Sequence, residues 1–374
     1  MAAELISLIV PTLNEAENIP LLVPRLAAVL AGRRWELILV DDNSHDRTRE
    51  VCAELAKTYP FRLLVRERPL HGLSGAVLDG IAQAKGDLLV VMDADLQHPP
   101  EKVPELLAVL ESGQGDFALG SRNQPGGSTE GEWGAFRRLN SWVATLLARP
   151  FAGNVKDPMS GFFALRRATY ARAERLTPLG YKIALELICK CRVASVVEVP
   201  IHFGLRQHGQ SKLSLKQQFH DLEHLSRLYD FTFPRLSPIL KFLVVLVAGW
   251  VAGLTAYLAA GAAGLHPAAA IAIAYGVNLL ITAAFHGRYI RTQREFLVSR
   301  RPWGDFVLIS LGEWATAIIA ALWSAARLDH PGTIELFLLA FVAATVMRYI
   351  LRKEFLQDIR GLRKDLRAAE IVKG

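Results

Sequence analysis

The chain has 374 residues, 51% of them hydrophobic, and a mean hydropathy of +0.23, so it is long enough for two domains and too apolar for an ordinary soluble protein of its size. Its net charge of +7 is unevenly placed: residues 1–237 hold 28 Lys+Arg against 27 Asp+Glu, and residues 238–374 hold 15 against 9. The basic excess therefore sits between apolar segments, which argues against a nucleic-acid-binding face, while three cysteines without a Cys/His ligand pattern argue against a disulfide framework and a zinc site.

Met1-Ala2-Ala3-Glu4 leads into the apolar run LISLIV with no basic stretch before it, so a signal peptide is not expected and the first domain should remain cytosolic. Strand patterns follow at Leu5–Val10, Glu36–Val40, Phe61–Val65, Asp87–Met92 and Phe117–Gly120. Helical patterns separate them at Glu17–Ala31, Asp46–Thr58, Leu73–Ala84 and Pro100–Glu111. Continuous apolar strands alternating with helices predict a mainly parallel, Rossmann-like α/β sheet covered on both faces, with ligands at the carboxyl ends of its strands.

The second half reads differently. Phe242–Leu265 and Pro267–Gly287 contain no Asp, Glu, Lys or Arg; Phe306–Ala326 carries only Glu313, and His330–Met347 only Glu335. About 20 apolar residues cross a bilayer, so an all-α domain of four transmembrane helices is expected. Arg288–Arg301 and the tail from Arg348 are rich in basic residues, whereas the other links are neutral or balanced. The positive-inside rule then puts both termini and the middle loop in the cytoplasm. Between the halves, Leu215, Phe219, Leu222, Leu225 and Tyr229 recur at helical spacing; that apolar face fits either a bilayer surface or the catalytic domain. Glu313 is either functional or paired with another helix.

Three polar motifs fall at strand ends in the first half: Val10-Pro11-Thr12-Leu13-Asn14-Glu15, Val40-Asp41-Asp42-Asn43-Ser44, and Asp93-Ala94-Asp95-Leu96-Gln97-His98-Pro99-Pro100-Glu101. Two carboxylates at i and i+2 where a strand becomes a loop can converge on a hard cation such as Mg²⁺ or Mn²⁺, which suits oxygen ligands and bridges phosphates. A turn with a helix cap would use the same residue types. No GxGxxG follows the first strand, which sets aside nicotinamide-linked chemistry.

Together these motifs resemble glycosyltransferase family 2, whose nucleotide-binding fold is called GT-A. Gly120-Ser121-Arg122, Arg137-Arg138, Asp157-Pro158-Met159-Ser160-Gly161-Phe162-Phe163, Tyr181-Lys182 and Arg206-Gln207-His208-Gly209-Gln210-Ser211-Lys212 narrow the resemblance. They are similar to the dolichol-phosphate mannose synthases and other polyprenyl-phosphate glycosyltransferases over about residues 5–215, and the four-span tail resembles a GtrA-like domain. The resemblance implies a GT-A domain at 1–212, juxtamembrane helices at 213–237, a GtrA-like membrane domain at 238–352 and a basic tail at 353–374. It also implies that Pro11, Leu13, Glu15 and Asp42 line the nucleoside pocket, and that Asp93, Asp95 and Gln97 hold metal and diphosphate. Arg122, Arg138 and Ser160 would grip the acceptor phosphate, and Arg206, Ser211 and Lys212 would close over the donor together with Lys182. Relatives often carry lysine at the position of His71.

The implied reaction moves mannose from GDP-mannose to a dolichyl or polyprenyl phosphate at a lipid bilayer, with inversion and a divalent cation. A lipid phosphate monoester has a second pKa near 6, so it is already a nucleophile at neutral pH and needs no strong base. It needs positioning, which planar arginines supply. UDP-glucose or another UDP-sugar is the alternative donor, and a polyprenyl-lipid transport or scaffold protein the alternative class. An oligomer is compatible with all of these.

Overall fold

The computed structural model describes residues 4–130, 135–177, 179–205, 215–285, 302–327 and 333–353. The chain divides into two compact units, Met1–Thr232 and Phe233–Gly374.

In the first unit the five expected strands form as β1 (Ile6–Thr12), β2 (Trp35–Asp41), β3 (Phe61–Val65), β4 (Leu88–Val91) and β5 (Phe117–Ser121). The four expected helices form as α1 (Ile19–Val29), α2 (Thr48–Leu55), α3 (Gly72–Gln83) and α4 (Val103–Glu111), the last preceded by a short 3₁₀ turn at Pro100–Lys102. Beyond them come the short β6 (Ser128–Thr129), α5 (Ala135–Ala152), β7 (Phe163–Arg166), α6 (Arg167–Tyr170), α7 (Ile183–Lys190), β8 (Val196–Pro200), β9 (His202–Phe203) and α8 (Leu215–Thr232). The main sheet runs β3-β2-β1-β4-β7-β5-β8, and β6 pairs separately with β9. All neighbours in the main sheet are parallel except β7, which is antiparallel to both β4 and β5.

Every residue of β1 is buried, as a central strand with helices on both faces requires. Its alternation sorts the core into two layers: Ile6, Leu8 and Val10 pack with α1 and α4, while Ile9 packs with α3, α5 and α7. At Gly80 of α3 a Cβ would collide with the Ile9 and Val40 side chains, so only glycine lets this helix lie so close to the sheet.

Helix α8 belongs to this first unit. His224, Leu225 and Leu228 are buried, and the Tyr229 hydroxyl donates to the Leu147 carbonyl of α5 at 2.9 Å. Its apolar face is covered by protein at Leu225 and Leu228, whereas Leu222 is 49% exposed. The side chains of Leu215 and Phe219 lie outside what is described.

The second unit contains α9 (Ser237–Ala262), α10 (Pro267–Phe285), α11 (Pro302–Arg327) and α12 (Thr333–Lys353). Among the described residues three stretches are long and apolar enough to cross a bilayer: Ile239–Ala262, Pro267–Phe285 and Val307–Arg327, with mean hydropathies of 2.1, 1.9 and 1.6. The fourth expected span is helical as α12. Outward positions such as Val244, Leu280 and Ile319 are 65–73% exposed, as a lipid-facing surface demands. Inside, Ala270, Ala274, Ala317, Ala340 and Ala344 bring the helices close around stacked Phe337 and Phe341, whose rings lie 4.1 Å apart.

Glu313 is paired. Its carboxylate accepts two hydrogen bonds from Arg348 of α12, at 2.6 and 2.7 Å, and one from the Tyr275 hydroxyl of α10 at 2.9 Å. A charge removed from water needs such compensation. Arg348→Met alone should therefore destabilise the membrane unit by about 3–5 kcal/mol, since it leaves a buried carboxylate unpaired. The double variant Glu313→Gln/Arg348→Met should recover most of that loss, read as thermal unfolding midpoints of the detergent-solubilised protein.

Candidate active site

Parallel strands β1, β2, β4 and β5 all end on one edge of the sheet, and chain direction decides what reaches it. The loop after β1 carries Leu13 and Glu15, Asp42 follows β2, Asp93 to Gln97 follow β4, and Arg122 follows β5. Because β7 is antiparallel, with Phe163 opposite Val91, its beginning lies at that same edge. That register brings Asp157, Ser160 and Gly161 to the carboxylates. The edge includes the point between β1 and β4 where the strand order reverses, the usual ligand crevice of such sheets.

The first two loops are laced together. The amides of Asn14, Glu15 and Ala16 donate to Ser44 Oγ (2.8 Å), Thr48 Oγ1 (3.1 Å) and Asp46 Oδ2 (3.1 Å). Asn14 and Asn43 adopt left-handed φ values of 56° and 62°, which asparagine tolerates better than most side chains. Buried Asp41 accepts from the Ser44 amide (3.0 Å) and from Arg49 Nε (3.1 Å). Asp42 is held by Arg66, which also binds Asp79 at 2.7 Å and donates to the Leu70 and Gly72 carbonyls. Burial raises the Asp42 pKa above its usual range, Arg66 opposes the rise, and Asp41 and Asp79 add to it.

The loop after β4 is strained and tethered. Leu96 has φ 63°, an uncommon and costly conformation for a bulky side chain, of the kind that surrounding structure must impose. What imposes it is visible on both sides. The Asp93 amide donates to His98 Nδ1 at 3.1 Å, and Asp95 Oδ1 accepts from the Gln97 amide at 3.1 Å. Gln97 Nε2 donates to the Gly204 carbonyl at 3.0 Å, while the Gly204 amide donates back to the Gln97 carbonyl at 3.0 Å. His98 is buried and stacked on Phe162, with ring centroids 5.2 Å apart. Burial pushes its pKa down to about 4, against the pull of Asp95. The ring is therefore neutral at pH 7, with Nδ1 as acceptor and the proton on Nε2.

On the other side of the edge, Arg122 is gripped as a fork. Asp157 accepts from Arg122 Nε and Nη2, both at 2.7 Å, and from the Arg122 amide at 3.1 Å. Glu198 of β8 fixes Asp157 in turn by accepting from the Asp157 and Lys156 amides, both at 2.9 Å. The guanidinium lies 5.2 Å from the Phe203 ring centroid, within cation–π range. Ser160 is 4% exposed, and its Oγ accepts from the Phe162 amide at 3.2 Å, closing the turn into β7.

Pro11, Leu13, Glu15, Asp42, Asp93, Asp95, Gln97, Arg122 and Ser160 thus collect on one edge, with Lys182 at the start of α7. Arg138 sits in α5 but its side chain lies outside the described residues, as do Arg206, Ser211 and Lys212. Beyond Arg122, the short strand β6 pairs with β9; residues 131–134 lie outside the described set. Sequence reasoning overlooked Arg66, the role of Asp157 and the cushion under His98. An arginine directly after the apolar run of β3 is the signal that could have drawn attention to Arg66.

The comparisons with known proteins now bear on this geometry. The family described as Glycosyl transferase family 2 matches residues 7–172. A dolichol-phosphate mannosyltransferase of Pyrococcus furiosus is 43% identical over 247 residues, covering 65% of this chain and 69% of the relative. That of Saccharomyces cerevisiae is 44% identical over 239 residues, covering 61% and 88%. The chain belongs to the dolichol-phosphate mannosyltransferase family. That of Mycosarcoma maydis is 43% identical over 251 residues, covering 64% of this chain and 84% of the relative. Among solved structures, a glucosyl-3-phosphoglycerate synthase of Mycobacterium tuberculosis, in complex with Mn²⁺, UDP-glucose and phosphoglyceric acid, is 22% identical with a TM-score of 0.47, covering 62% of this chain and 80% of that one.

Behind the family's motifs lies a buried ion cluster that joins α7 to α8. Glu186 accepts from Lys190 Nζ (2.8 Å), from the Thr177 amide (2.6 Å) and from His224 Nε2 (3.1 Å). Burial works to raise the Glu186 pKa, but these hydrogen bonds and the Lys190 charge outweigh it and hold it down to about 2. The folded pKa is depressed, so the carboxylate contributes stability that is present above its ordinary value of 4.5 and is lost as pH falls through about 2. Glu186→Gln should lower the unfolding free energy at pH 7 by about 3–5 kcal/mol, because Lys190 is left buried without its charge partner. It should also flatten the acid slope, so that the gap to wild type narrows in melts at pH 7, 5 and 3.

Proposed function

We propose that the chain is a membrane-embedded, inverting glycosyltransferase that transfers mannose from GDP-mannose to dolichyl or polyprenyl phosphate. The observation that carries the reading is the meeting, on one sheet edge, of the Asp93/Asp95/Gln97 loop with a fixed arginine fork, in a chain whose other unit has helices fit to cross a bilayer. Family membership supports it: the relatives at 43–44% identity bear the name dolichol-phosphate mannosyltransferase.

The residues divide the work by position. The laced loops after β1 and β2 take the nucleoside, with Pro11, Leu13 and Glu15 on one side and Asp42 on the other, held in place by Arg66. Arg122, with Arg138 and Ser160, receives the acceptor phosphate. An acceptor oxygen attacks the anomeric carbon of mannose, the bond from that carbon to the diphosphate oxygen breaks, and GDP departs with the bonding pair. Attack from the face opposite the leaving group inverts the configuration. The phosphate dianion needs no base to remove a proton, and fixing both reactants can lower the barrier by about 7–11 kcal/mol.

Asp93 and Asp95 fit a divalent cation by the chemistry of their donor set. Two carboxylates stand beside Gln97, whose Nε2 is bound to the Gly204 carbonyl, which turns its Oε1 away from that contact. Hard oxygen donors of this kind suit Mg²⁺ or Mn²⁺. Such an ion, when bound, would offset the charge gathering on the departing diphosphate. Asp93, Asp95, Gln97, Lys182, Arg206, Ser211 and Lys212 are assigned to the donor side on the motif match. We also infer from the arginine-rich link at 288–301 and the basic tail that both termini and the catalytic unit face the cytoplasm.

Membranes containing the protein, supplied with a divalent cation and polyprenyl phosphate, should transfer label from GDP-mannose into organic-extractable lipid. UDP-glucose should give little. Asp95→Ala should cut the signal at least about a hundredfold, given the size of electrostatic contributions at such sites. Lipid label from UDP-glucose and none from GDP-mannose would replace the donor, and no label from any donor would leave the lipid-binding reading in its place.

A further inference from the structure

The segment 201–205 straps one half of the site to the other. At its start the Ile201 amide donates to the Ser121 carbonyl, at the end of β5, at 3.0 Å. Its middle pairs with β6: the Glu130 amide donates to the Phe203 carbonyl at 2.9 Å, and Ser128 Oγ lies 2.7 Å from His202 Nδ1. Toward its far end Gly204 is held to Gln97, in the loop after β4, by two hydrogen bonds of 3.0 Å each. The backbone of Phe203 is therefore tied down on both sides, and its half-buried side chain lies where the two halves meet.

That ring has a partner in each half. It meets the His98 ring edge-on, with centroids 5.4 Å apart and planes at 63°, and Arg122 Cζ stands over it, 5.2 Å from its centroid. His98 is the ring whose Nδ1 accepts from the Asp93 amide. Asp157 holds Arg122 along one edge of the guanidinium, through Nε and Nη2. Two parallel bonds on one edge fix where the group lies but resist its tilt about that edge weakly, because a hydrogen bond tolerates about 30° of departure from linearity. An aromatic face resists that tilt, since the cation is drawn to the ring. Leucine would keep the apolar bulk and the strap's backbone bonds, but it has neither the negative face nor the positive edge of the ring.

We propose that Phe203 is a positioning residue for the transfer: its ring sets the tilt of Arg122 toward the acceptor phosphate and, through His98, the spacing between that arginine and the Asp93 loop. This rests on the reading above, in which Arg122 receives a lipid phosphate. Phe203 acts through its two neighbours, not on either substrate. Its loss should therefore be felt as weaker acceptor binding together with poorer alignment of the two reactants, while the nucleoside loops after β1 and β2 keep their grip.

The test compares the wild type, Phe203→Leu and Phe203→Tyr as full chains in membranes, with polyprenyl phosphate and GDP-mannose titrated in turn. Phe203→Leu should raise KM for polyprenyl phosphate about fivefold, lower kcat about tenfold, and leave KM for GDP-mannose within about twofold. Phe203→Tyr, which keeps the ring, should stay within about twofold of the wild type in all three. Activity that falls in step with the unfolding midpoint while both KM values hold would make the ring a packing residue and overturn the proposal. Equal losses in the two variants, or a raised KM for GDP-mannose alone, would overturn it as well. If the wild type makes no mannosyl lipid, the proposed reaction fails, and equilibrium binding of labelled polyprenyl phosphate to the detergent-solubilised proteins decides for Phe203. Binding about fivefold weaker in Phe203→Leu than in the wild type and Phe203→Tyr upholds the proposal; equal binding, or none in the wild type, overturns it.

Discussion

In the proposed reaction a phosphate must approach another phosphate bearing the same charge, which needs cations that do not move, and the fork between Asp157 and Arg122 holds one cation fixed. Arg122 cannot swing, because Asp157 holds two of its guanidinium nitrogens and its backbone amide. Asp157 cannot swing either, because Glu198 holds the amides at 156 and 157. The chain of dependence runs from β8 through the turn before β7 to the end of β5. Much of the cationic half of the site is thus set by strand pairing rather than by a flexible loop, as preorganised electrostatics requires.

The antiparallel strand is what makes that arrangement reachable. In an all-parallel sheet the residues before β7 would emerge at the opposite edge, far from the carboxylates of the β4 loop. Reversing one strand brings Asp157, Ser160 and Gly161 beside Asp93, close enough that a Cβ at Gly161 would stand 3.4 Å from His98 Cε1 and 3.6 Å from an Asp93 carboxylate oxygen. The left-handed Leu96 is held from both sides, by His98 stacked on Phe162 and by the paired bonds between Gln97 and Gly204. Gly204 lies two residues before the motif at 206–212 in the sequence, so the anionic loop is bonded to the segment that leads into that motif.

What the sequence disclosed follows the range of the forces involved. The five parallel strands were legible because burial on both faces makes each a continuous apolar run, and the Asp, Glu and Arg positions at their ends followed from strand direction. β7 was not legible: it has four residues, Phe163–Arg166, and directly follows a motif that reads as chemistry. Arg66 was missed because its partners Asp42 and Asp79 are 24 and 13 residues away, so no local pattern links them. Glu313 stood out as an intramembrane charge, but only packing names Arg348 and Tyr275 as its partners. α8 announced its apolar stripe without saying what would cover it. Periodicity reports that a face is apolar; it cannot distinguish a lipid from Leu147 and α7. Composition likewise marked α12 as a fourth span, and that stretch is helical.

Helix α8 also determines where this chain can be divided. The catalytic unit ends at Thr232, and the last thing it owns is a helix whose Leu228 is wholly buried and whose His224 completes the Glu186 cluster. A fragment ending at Lys212 would show water an apolar trough over α5 and α7 and an ion cluster missing one member. Any exchange of the membrane unit for another anchor, by recombination or by design, must therefore carry α8 across with the enzyme. The natural joint of this protein lies after the helix, although the chemical motifs have already ended some twenty residues before it.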